Sequence, residues 1–175
     1  AKDSSIAART KGVGILTKDD ALNYGACGPH GRASGVNFDV RKTMPYNCYE
    51  EFDFNVAVAN DGDVFSRAVV RLIEIEESCK IIEQALNNMP DGPINLGNKI
   101  PKVPVGEYMA VTEAPRGEVT YYVVSNGGQT NGRVNIHVPT FKNAMTVPVM
   151  LKNNTIADAG LIVASIDPCF SCLDR

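Results

Sequence analysis

The stretch DVFSRAVVRLIEIEESCKIIEQALNNM, residues 63–89, places apolar side chains every three or four positions, which is the spacing of one face of an α-helix. That face comprises Val64, Ala68, Leu72, Ile75, Cys79, Ile82 and Leu86. Further apolar residues (Val69, Val70, Ile73 and Ile81) widen the face, so we expect a helix that is covered on most sides. One such helix cannot bury itself alone. The stretch therefore predicts a helix bundle, part of which lies in another chain or segment.

Further predictions concern the arginines of this helix, its Cys79 and its end. Its arginines are predicted to be solvated or paired across a subunit interface, because arginine is mostly an exposed residue. Cys79, on the apolar face, is predicted to be a small buried residue. The helix is expected to stop at Met89-Pro90, because a proline and the DGP turn after it cannot continue a helix.

The flanking sequence suggests a small sheet and further helices. Upstream, TKDDALNYG (17–25) reads as a short helix capped by Thr17, and residues 27–49 as ordered loop. Downstream, a Pro/Gly-rich crossing (91–106) leads to three strand-like runs at 108–115, 118–128 and 133–138, and then to helical runs at 141–154 and 155–166. We therefore expect an α+β fold, with a helix bundle core around a long central helix and a small antiparallel sheet, in one domain over residues 1–175.

Composition excludes several classes of function. The net charge of −3 leaves no basic face, which counts against nucleic-acid binding. No apolar run approaches the roughly 18 residues that span a bilayer, and the first residues lack the pattern of a signal peptide. The five cysteines are an odd count, which favours a reducing compartment with metal-binding or buried thiols. We expect a soluble, cytoplasmic protein.

The candidate metal-binding or redox residues lie close together in Asp167-Pro168-Cys169-Phe170-Ser171-Cys172. A C-x-x-C pair can place two sulfurs on one soft metal ion. Taken alone the motif leaves other interpretations open: half of a zinc site, a dithiol redox pair, or two buried thiols. The zinc site has an explicit form, in which Cys27 and His30 join Cys169 and Cys172.

The motif also resembles the C-terminal D-P-C-x-x-C signature of nickel–iron hydrogenase large subunits. TEAPRGEV (112–119) and HVPTFKN (137–143) resemble two further segments of that family, in the same order. RTKGVG (9–14), residues 31–46 and residues 51–82 resemble the branch shared by energy-converting, membrane-bound hydrogenases and the quinone-site subunit of complex I. That complex I relative lacks the terminal cysteines. The resemblance covers nearly the whole chain, and it implies the α+β fold of the hydrogenase large subunit.

The resemblance assigns a role to each site residue. Cys169 would be a terminal nickel ligand, and Cys172 would bridge nickel to an iron that carries cyanide and carbon monoxide. Arg116 would act beside the open metal position, with Asp167 as its carboxylate partner and Pro115 as a rigid wall. Pro139 and Thr140 would contact the cyanides. Of the remaining candidates, His30 and His137 are expected to be structural, and Glu113 is either a proton-relay group or part of an ion pair.

The sequence departs from the family in one respect: the family's other cysteine pair, in an R-x-C-G-x-C segment, is not present. The chain would thus supply two of four thiolates, with the rest on the N-terminal portion of the large subunit. The ending Leu173-Asp174-Arg175 resembles the product of the family's maturation step, which removes a C-terminal tail.

The resemblance implies a hydrogenase that cleaves or forms dihydrogen heterolytically. Its partners would be an iron–sulfur small subunit, a ferredoxin-like carrier and membrane ion-translocating subunits, which places the chain peripherally on the inner face of the cell membrane. Two alternatives stay open: a complex I-like electron-transfer subunit without hydrogenase activity, and a zinc-stabilised structural subunit.

Overall fold

The computed structural model describes residues 4–95, 97 and 103–174. The helices are α1 (Ser4–Thr10), α2 (Lys18–Asn23), α3 (Gly28–Arg32), α4 (Val40–Thr43), α5 (Val64–Asn87), α6 (Pro139–Ala144), α7 (Val147–Met150), α8 (Ala159–Ser165) and α9 (Phe170–Leu173). The strands are β1 (Gly106–Ala114), β2 (Gly117–Ser125) and β3 (Asn131–His137). The predicted α+β class is confirmed. Part of the predicted 91–106 crossing, and Arg175, lie outside the described residues.

Helix α5 begins where the sequence predicts. Asp63 caps its first turn by accepting hydrogen bonds from the Ser66 backbone N–H at 2.7 Å and the Ser66 hydroxyl at 2.8 Å. The second carboxylate oxygen accepts from the Gly12 N–H at 2.8 Å, so the same side chain ties the N-terminal loop to the helix. Burial alone would raise the pKa of Asp63, but these hydrogen bonds outweigh it and hold the pKa below its usual range.

The predicted buried face of α5 is wrong for this chain. The residues that α5 buries are Val64, Ser66, Arg67, Val70 and Glu77, most of them in its first two turns. The apolar stripe from residue 72 to residue 86 is exposed instead, and Cys79, predicted to be buried, is exposed with it. Helices α1, α3 and α8 pack against α5. The predicted bundle is therefore only partly assembled within the described residues.

Arg67 corrects the prediction that the helix arginines are solvated or paired across a subunit interface. Its side chain is 0% exposed and donates to the Gly62 carbonyl at 2.7 Å, the Gly14 carbonyl at 2.8 Å and the Ser165 hydroxyl at 2.9 Å. Burial, together with the neighbouring charge of Arg71, lowers its pKa to about 10. A buried guanidinium is tolerated only when its donors are satisfied, so these bonds join three segments that are remote in sequence.

The main core lies where the N-terminal loop, α5, α7 and α8 meet. Its buried members are Leu16, Ala21, Ala26, Val64, Met150, Ile162 and Ile166. Residues 27–49, predicted to be loop, contain the short helices α3 and α4 and a 3₁₀ turn at Tyr49–Glu51. Such short helices carry too few residues for an apolar period to reveal them.

The sheet has the predicted antiparallel order β1-β2-β3. Ala114 pairs with Gly117, so Pro115 and Arg116 form the tight turn between β1 and β2. The helical run at 141–154 is split into α6 and α7. The capping pattern of Thr155 and Asp158 is confirmed at the 3₁₀ turn before α8. Across the residues described, no helix combines the length and the hydropathy needed to cross a membrane.

We predict that Asp63→Ala destabilises the fold by about 1–2 kcal/mol, the usual cost of losing a helix N-cap. Because the pKa of Asp63 is lowered in the folded state, its stabilisation is present above the ordinary aspartate pKa and is lost as the pH falls below it. Urea unfolding at neutral and acidic pH measures both effects. Asp61→Ala, an exposed neighbour, is the control. Equal stability of the two variants at neutral pH would contradict the prediction.

Candidate functional site

The two terminal thiols lie on one short helical turn. Cys169 is the residue that precedes α9, and the N–H groups of Cys172 and Leu173 donate to its carbonyl at 3.0 and 3.2 Å. The sequence patterns did not predict this turn, because α9 is only four residues long. All five cysteines are thiols, and both terminal ones are half-buried.

Hydrogen bonds favour the thiolate form of Cys169. Its Sγ lies 3.1 Å from the Ser171 hydroxyl. A hydrogen bond with the Cys172 side chain, followed by the one with Ser171, lowers the pKa of Cys169 to about 7, and the charge of Arg116 acts in the same direction. Since the thiolate is the form that binds metals, Cys169 could act as a ligand of a soft cation.

Thr140 fixes the backbone of the thiol pair. It is buried at the start of α6, directly after Pro139, and its Oγ1 accepts a hydrogen bond from the Cys169 N–H at 3.3 Å. Thr140 thus lies beside Cys169, and Pro139 precedes it at the start of α6. The hydroxyl proton of Thr140 stays available for a further acceptor.

Arg116 is held by the residue that precedes the cysteine motif. Its Nε donates to the Asp167 carbonyl at 2.5 Å, and its Nη2 donates to Asp167 Oδ1 at 3.0 Å. Asp167 has a φ of 55°, a left-handed conformation that side chains seldom adopt. The structure therefore brings Arg116, Asp167 and Thr140 to the terminal thiols. Pro115 is exposed and lines a different cleft, with Arg32 and Glu113.

A close contact between two backbone segments positions the β1–β2 turn that carries Arg116. The sequence patterns did not indicate this contact. A Cβ on Gly117 would lie 2.7 Å from the Gly28 N, and a Cβ on Gly28 would lie 2.3 Å from the Arg116 carbonyl oxygen. Gly28 also has a φ of 64°. Only glycine allows this approach. Both glycines lie within segments quoted from the sequence, but their spacing along the chain does not reveal the contact.

Asn143 secures the same contact. Its buried side chain accepts from the Cys27 N–H at 3.0 Å and donates to the Cys27 carbonyl at 3.2 Å. The same amide nitrogen lies 3.4 Å from the Arg116 carbonyl. Asn143 therefore joins α6 to α3 and to the Arg116 turn. Asn143 ends the quoted HVPTFKN segment, yet nothing in that pattern indicates its partners.

A buried cluster of charged side chains holds the β1–β2 hairpin on the side away from the Gly28–Gly117 contact. The Arg32 guanidinium donates to Glu74 at 2.7 Å and to Glu113 at 2.9 Å, and it lies 3.6 Å from Asp39. Burial raises the pKa of Glu113 although Arg32 opposes this. Glu113 thus lies in an ion pair, one of the two alternatives left open for it.

Arg71 is a further cation near Asp167 that the sequence did not indicate. Burial lowers its pKa, while the charges of Asp167 and Glu74 oppose that shift and Arg116 adds to it. Its Nη1 donates to the Arg67 carbonyl at 3.0 Å. Asp167 therefore interacts with two arginines: it accepts a hydrogen bond from Arg116 and lies within electrostatic range of Arg71.

The zinc set is not assembled. In the part of the chain that the structure describes, no three or more His, Cys, Asp and Glu side chains form a group able to hold a metal ion. His30 is buried and its Nε2 lies 2.8 Å from the Thr146 hydroxyl, while burial lowers its pKa to about 3. Burial also raises the pKa of Cys27 to about 11. His137 is an exposed residue at the end of β3, and it lines a cleft of about 180 Å³ with Cys172 and Phe141.

The chain belongs to the family described as the respiratory-chain NADH dehydrogenase 49 kDa subunit, whose model matches residues 1–100 and 95–175. It is 47% identical over 171 residues to the carbon monoxide-induced hydrogenase of Rhodospirillum rubrum, covering 98% of this chain and 47% of that protein. An NADH-quinone oxidoreductase subunit of Clostridium beijerinckii is 43% identical over 96% of this chain and 46% of its own length. An F(420)H(2) dehydrogenase subunit of Methanosarcina mazei is 42% identical over 95% of this chain and 46% of its own length.

These comparisons place the chain in a complex I-related oxidoreductase family that includes a protein named as a hydrogenase. The family description and most of the similar names agree better with the complex I-like alternative than with the hydrogenase prediction. The chain spans about half the length of the curated relatives it matches. The activity, cofactors and partners of the whole protein are therefore matters for a proposal.

We predict that Cys169 and Cys27 react with an alkylating agent at different rates, because the pKa values of their thiols differ. In metal-free protein, the alkylation rate of Cys169 by iodoacetamide should rise through pH 7 and then level off, because the thiolate is the nucleophile. Cys27, with a pKa near 11, should react slowly until the solution is strongly alkaline. Peptide mass spectrometry separates the two rates. A Cys169 profile that still rises steeply at pH 9 would contradict the prediction.

Proposed function

We propose that the chain is the portion of a complex I-related oxidoreductase subunit that supplies two thiolates, Cys169 and Cys172, to a nickel–iron centre for reversible dihydrogen cleavage. The observation that carries the proposal is the thiol pair itself, gathered with Arg116, Asp167 and Thr140 at one place. The similarity to a carbon monoxide-induced hydrogenase over 98% of the chain supports it.

The residues at the thiol pair fit such a centre. Soft thiolates suit nickel and low-spin iron, and the lowered pKa of Cys169 means that little energy is needed to ionise it. Thr140 has a hydroxyl proton to offer at the same place. A bound nickel–iron pair would supply the redox chemistry. The described residues contribute only two sulfurs at this place, so the remaining ligands would come from the half of the relatives' length that this chain does not span.

Arg116 would stabilise charge that develops at the site and take part in proton transfer there. The bond from its Nη2 to Asp167 and the bond from its Nε to the Asp167 carbonyl fix the guanidinium plane, so its direction does not depend on a flexible stem. A positioned cation stabilises charge that develops when a proton separates from a negative partner. Arg71 interacts electrostatically with the same carboxylate, so it adds positive charge near Arg116 and Asp167.

A second candidate is favoured by the comparisons: a complex I-like electron-transfer subunit without hydrogenase activity. The matching family and the several relatives named as NADH-quinone oxidoreductase subunits support it. In that case the thiols would hold another metal or none. Under both candidates the proposed surroundings are a peripheral position on a membrane-associated complex, with an iron–sulfur subunit, a ferredoxin-like carrier and ion-translocating subunits as partners.

The test of the proposal is the metal content of the purified complex. We expect about one nickel per complex, iron in excess of nickel because the iron–sulfur clusters add to it, and infrared bands of metal-bound cyanide and carbon monoxide. Cys172→Ser should lose both metals, because a hard hydroxyl replaces a soft thiolate poorly. Cys48→Ser, at an exposed cysteine, should keep them. A complex that transfers electrons without nickel would overturn the hydrogenase proposal in favour of the second candidate.

The role of Arg116 predicts a kinetic effect. Arg116→Lys keeps the charge but loses the planar fork that Asp167 holds, so turnover should fall about 10²-fold or more. Hydrogen evolution is measured on protein whose metal content and infrared bands match the wild type. Arg133→Lys, at an exposed position of β3, should leave turnover unchanged. Near-wild-type turnover of Arg116→Lys would show that Arg116 is structural.

A further inference from the structure

A chain of hydrogen bonds runs from His30 on α3 to Asn143 on α6. The Nε2 atom of His30 lies 2.8 Å from the Thr146 hydroxyl, and that hydroxyl donates to the Asn143 backbone carbonyl at 2.7 Å. The exposed fractions of His30, Thr146 and Asn143 are 1%, 0% and 1%. These bonds therefore tie the middle of α3 to the end of α6 inside the protein.

The number of protons in this chain determines the form of the His30 ring. A hydroxyl has one proton to donate, and Thr146 donates its proton to the Asn143 carbonyl. Toward His30 the hydroxyl can therefore only accept, so His30 donates through its Nε2–H. Burial lowers the pKa of His30 to about 3, and the charges of Arg67 and Arg71 act in the same direction, so the ring is neutral at pH 7. Among the described residues, Nδ1 has no hydrogen-bond partner, which leaves the bond to Thr146 as the hydrogen bond that holds the ring.

Helix α6 holds two groups of the thiol site. Thr140, in its first turn, accepts a hydrogen bond from the Cys169 N–H at 3.3 Å. Asn143 follows three residues later, and its amide nitrogen lies 3.4 Å from the Arg116 carbonyl. Residues three apart lie on the same face of a helix. The placement of α6 therefore decides where the Arg116 turn stands relative to Cys169.

Helix α3 anchors this part of the chain at two points. Asn143 accepts from the Cys27 N–H at 3.0 Å and donates to the Cys27 carbonyl at 3.2 Å, directly before α3 begins. His30 lies three residues further along and bonds Thr146. With one anchor, α6 could rotate about the bonded residue. The second anchor removes that rotation.

We propose that His30 and Thr146 are positioning residues for the thiol site, because they fix the end of α6 and so set the distance between the Arg116 guanidinium and the Cys169 thiolate. The inference deepens the proposed function, since Arg116 and Cys169 are groups that this function uses. A displacement of about 1 Å at a reacting group can cost roughly 10²-fold in rate. His30 acts here as a neutral hydrogen-bond donor, through two other residues.

Amide hydrogen exchange in the purified complex tests the anchor without requiring catalysis. The Cys27 N–H is the reporter, since the Asn143 side chain accepts its hydrogen bond. Thr146→Val keeps the shape of the side chain but removes the hydroxyl, so exchange at Cys27 should be about tenfold faster, as expected for the loss of one buried hydrogen bond. Thr146→Ser should keep the wild-type rate. Unchanged exchange in Thr146→Val overturns the proposal, and so does equal acceleration along α5, which would show a general loss of stability.

Variants of His30 separate the donor from the shape of the ring. His30→Gln keeps an N–H donor, whereas His30→Met fills similar space without one. We expect His30→Met to accelerate exchange at Cys27 as much as Thr146→Val does, and the double variant to add nothing, because both changes break one chain. His30→Gln should stay close to wild type. Additive effects, or a wild-type rate in His30→Met, overturn the proposal. The Thr146 variants give the same comparison if His30→Met fails to fold.

Turnover is the second readout. In fully metallated protein, Thr146→Val should evolve hydrogen about tenfold more slowly, and Thr146→Ser should restore the rate. Thr130→Val, which removes an exposed hydroxyl, should leave turnover unchanged. Wild-type turnover in Thr146→Val overturns the positioning role even if exchange at Cys27 accelerates. A wild-type complex without hydrogenase activity would count against the proposed function alone, since the exchange experiment needs no metal.

Discussion

The buried guanidinium of Arg32 is the interaction on which the arrangement of the site depends. It lies on α3 and bonds Glu74 of α5 and Glu113 of β1, with Asp39 of the α4 cap nearby. Removing any one of these carboxylates would leave a buried charge short of partners, which is costly. The cluster therefore sets where the hairpin stands relative to α5, and the hairpin turn carries Arg116.

The opposite side of that turn is set by backbone packing rather than by charge. Gly28 and Gly117 approach too closely for any Cβ, and Asn143 bonds both Cys27 and the Arg116 carbonyl. The turn is thus fixed between an ion cluster and a glycine contact. Arg116 can reach Asp167 only because both restraints hold, and Asp167 in turn leads directly into the thiol pair. The position of a catalytic candidate is here the outcome of contacts between four separate elements.

Two apolar or reactive surfaces remain wholly or partly exposed among the described residues: the later face of α5 and the thiol pair. Helix α5 buries its first turns against α1, α3 and α8, and leaves its later apolar face in water. The thiol site offers two sulfurs and directly follows Asp167, which lines a groove between α5 and α8.

The sequence by itself determined the elements whose signal is local. The period of α5, the three strands and the capping pair Thr155–Asp158 all follow from neighbouring residues, and the structure confirms them. The motif resemblance also named Arg116, Asp167 and Thr140, which the fold brings close to Cys169, but Pro115, which it also named, lies in a different cleft. The features that the sequence did not predict depend on contacts between residues that are remote in sequence. They are the buried face of α5, the burial of Arg67, and the contacts by which Arg32 and Asn143 position the Arg116 turn. Only the tertiary structure decided these, because burial of a helix face or a charge is a property of what packs against it, and a spacing pattern does not contain its partner.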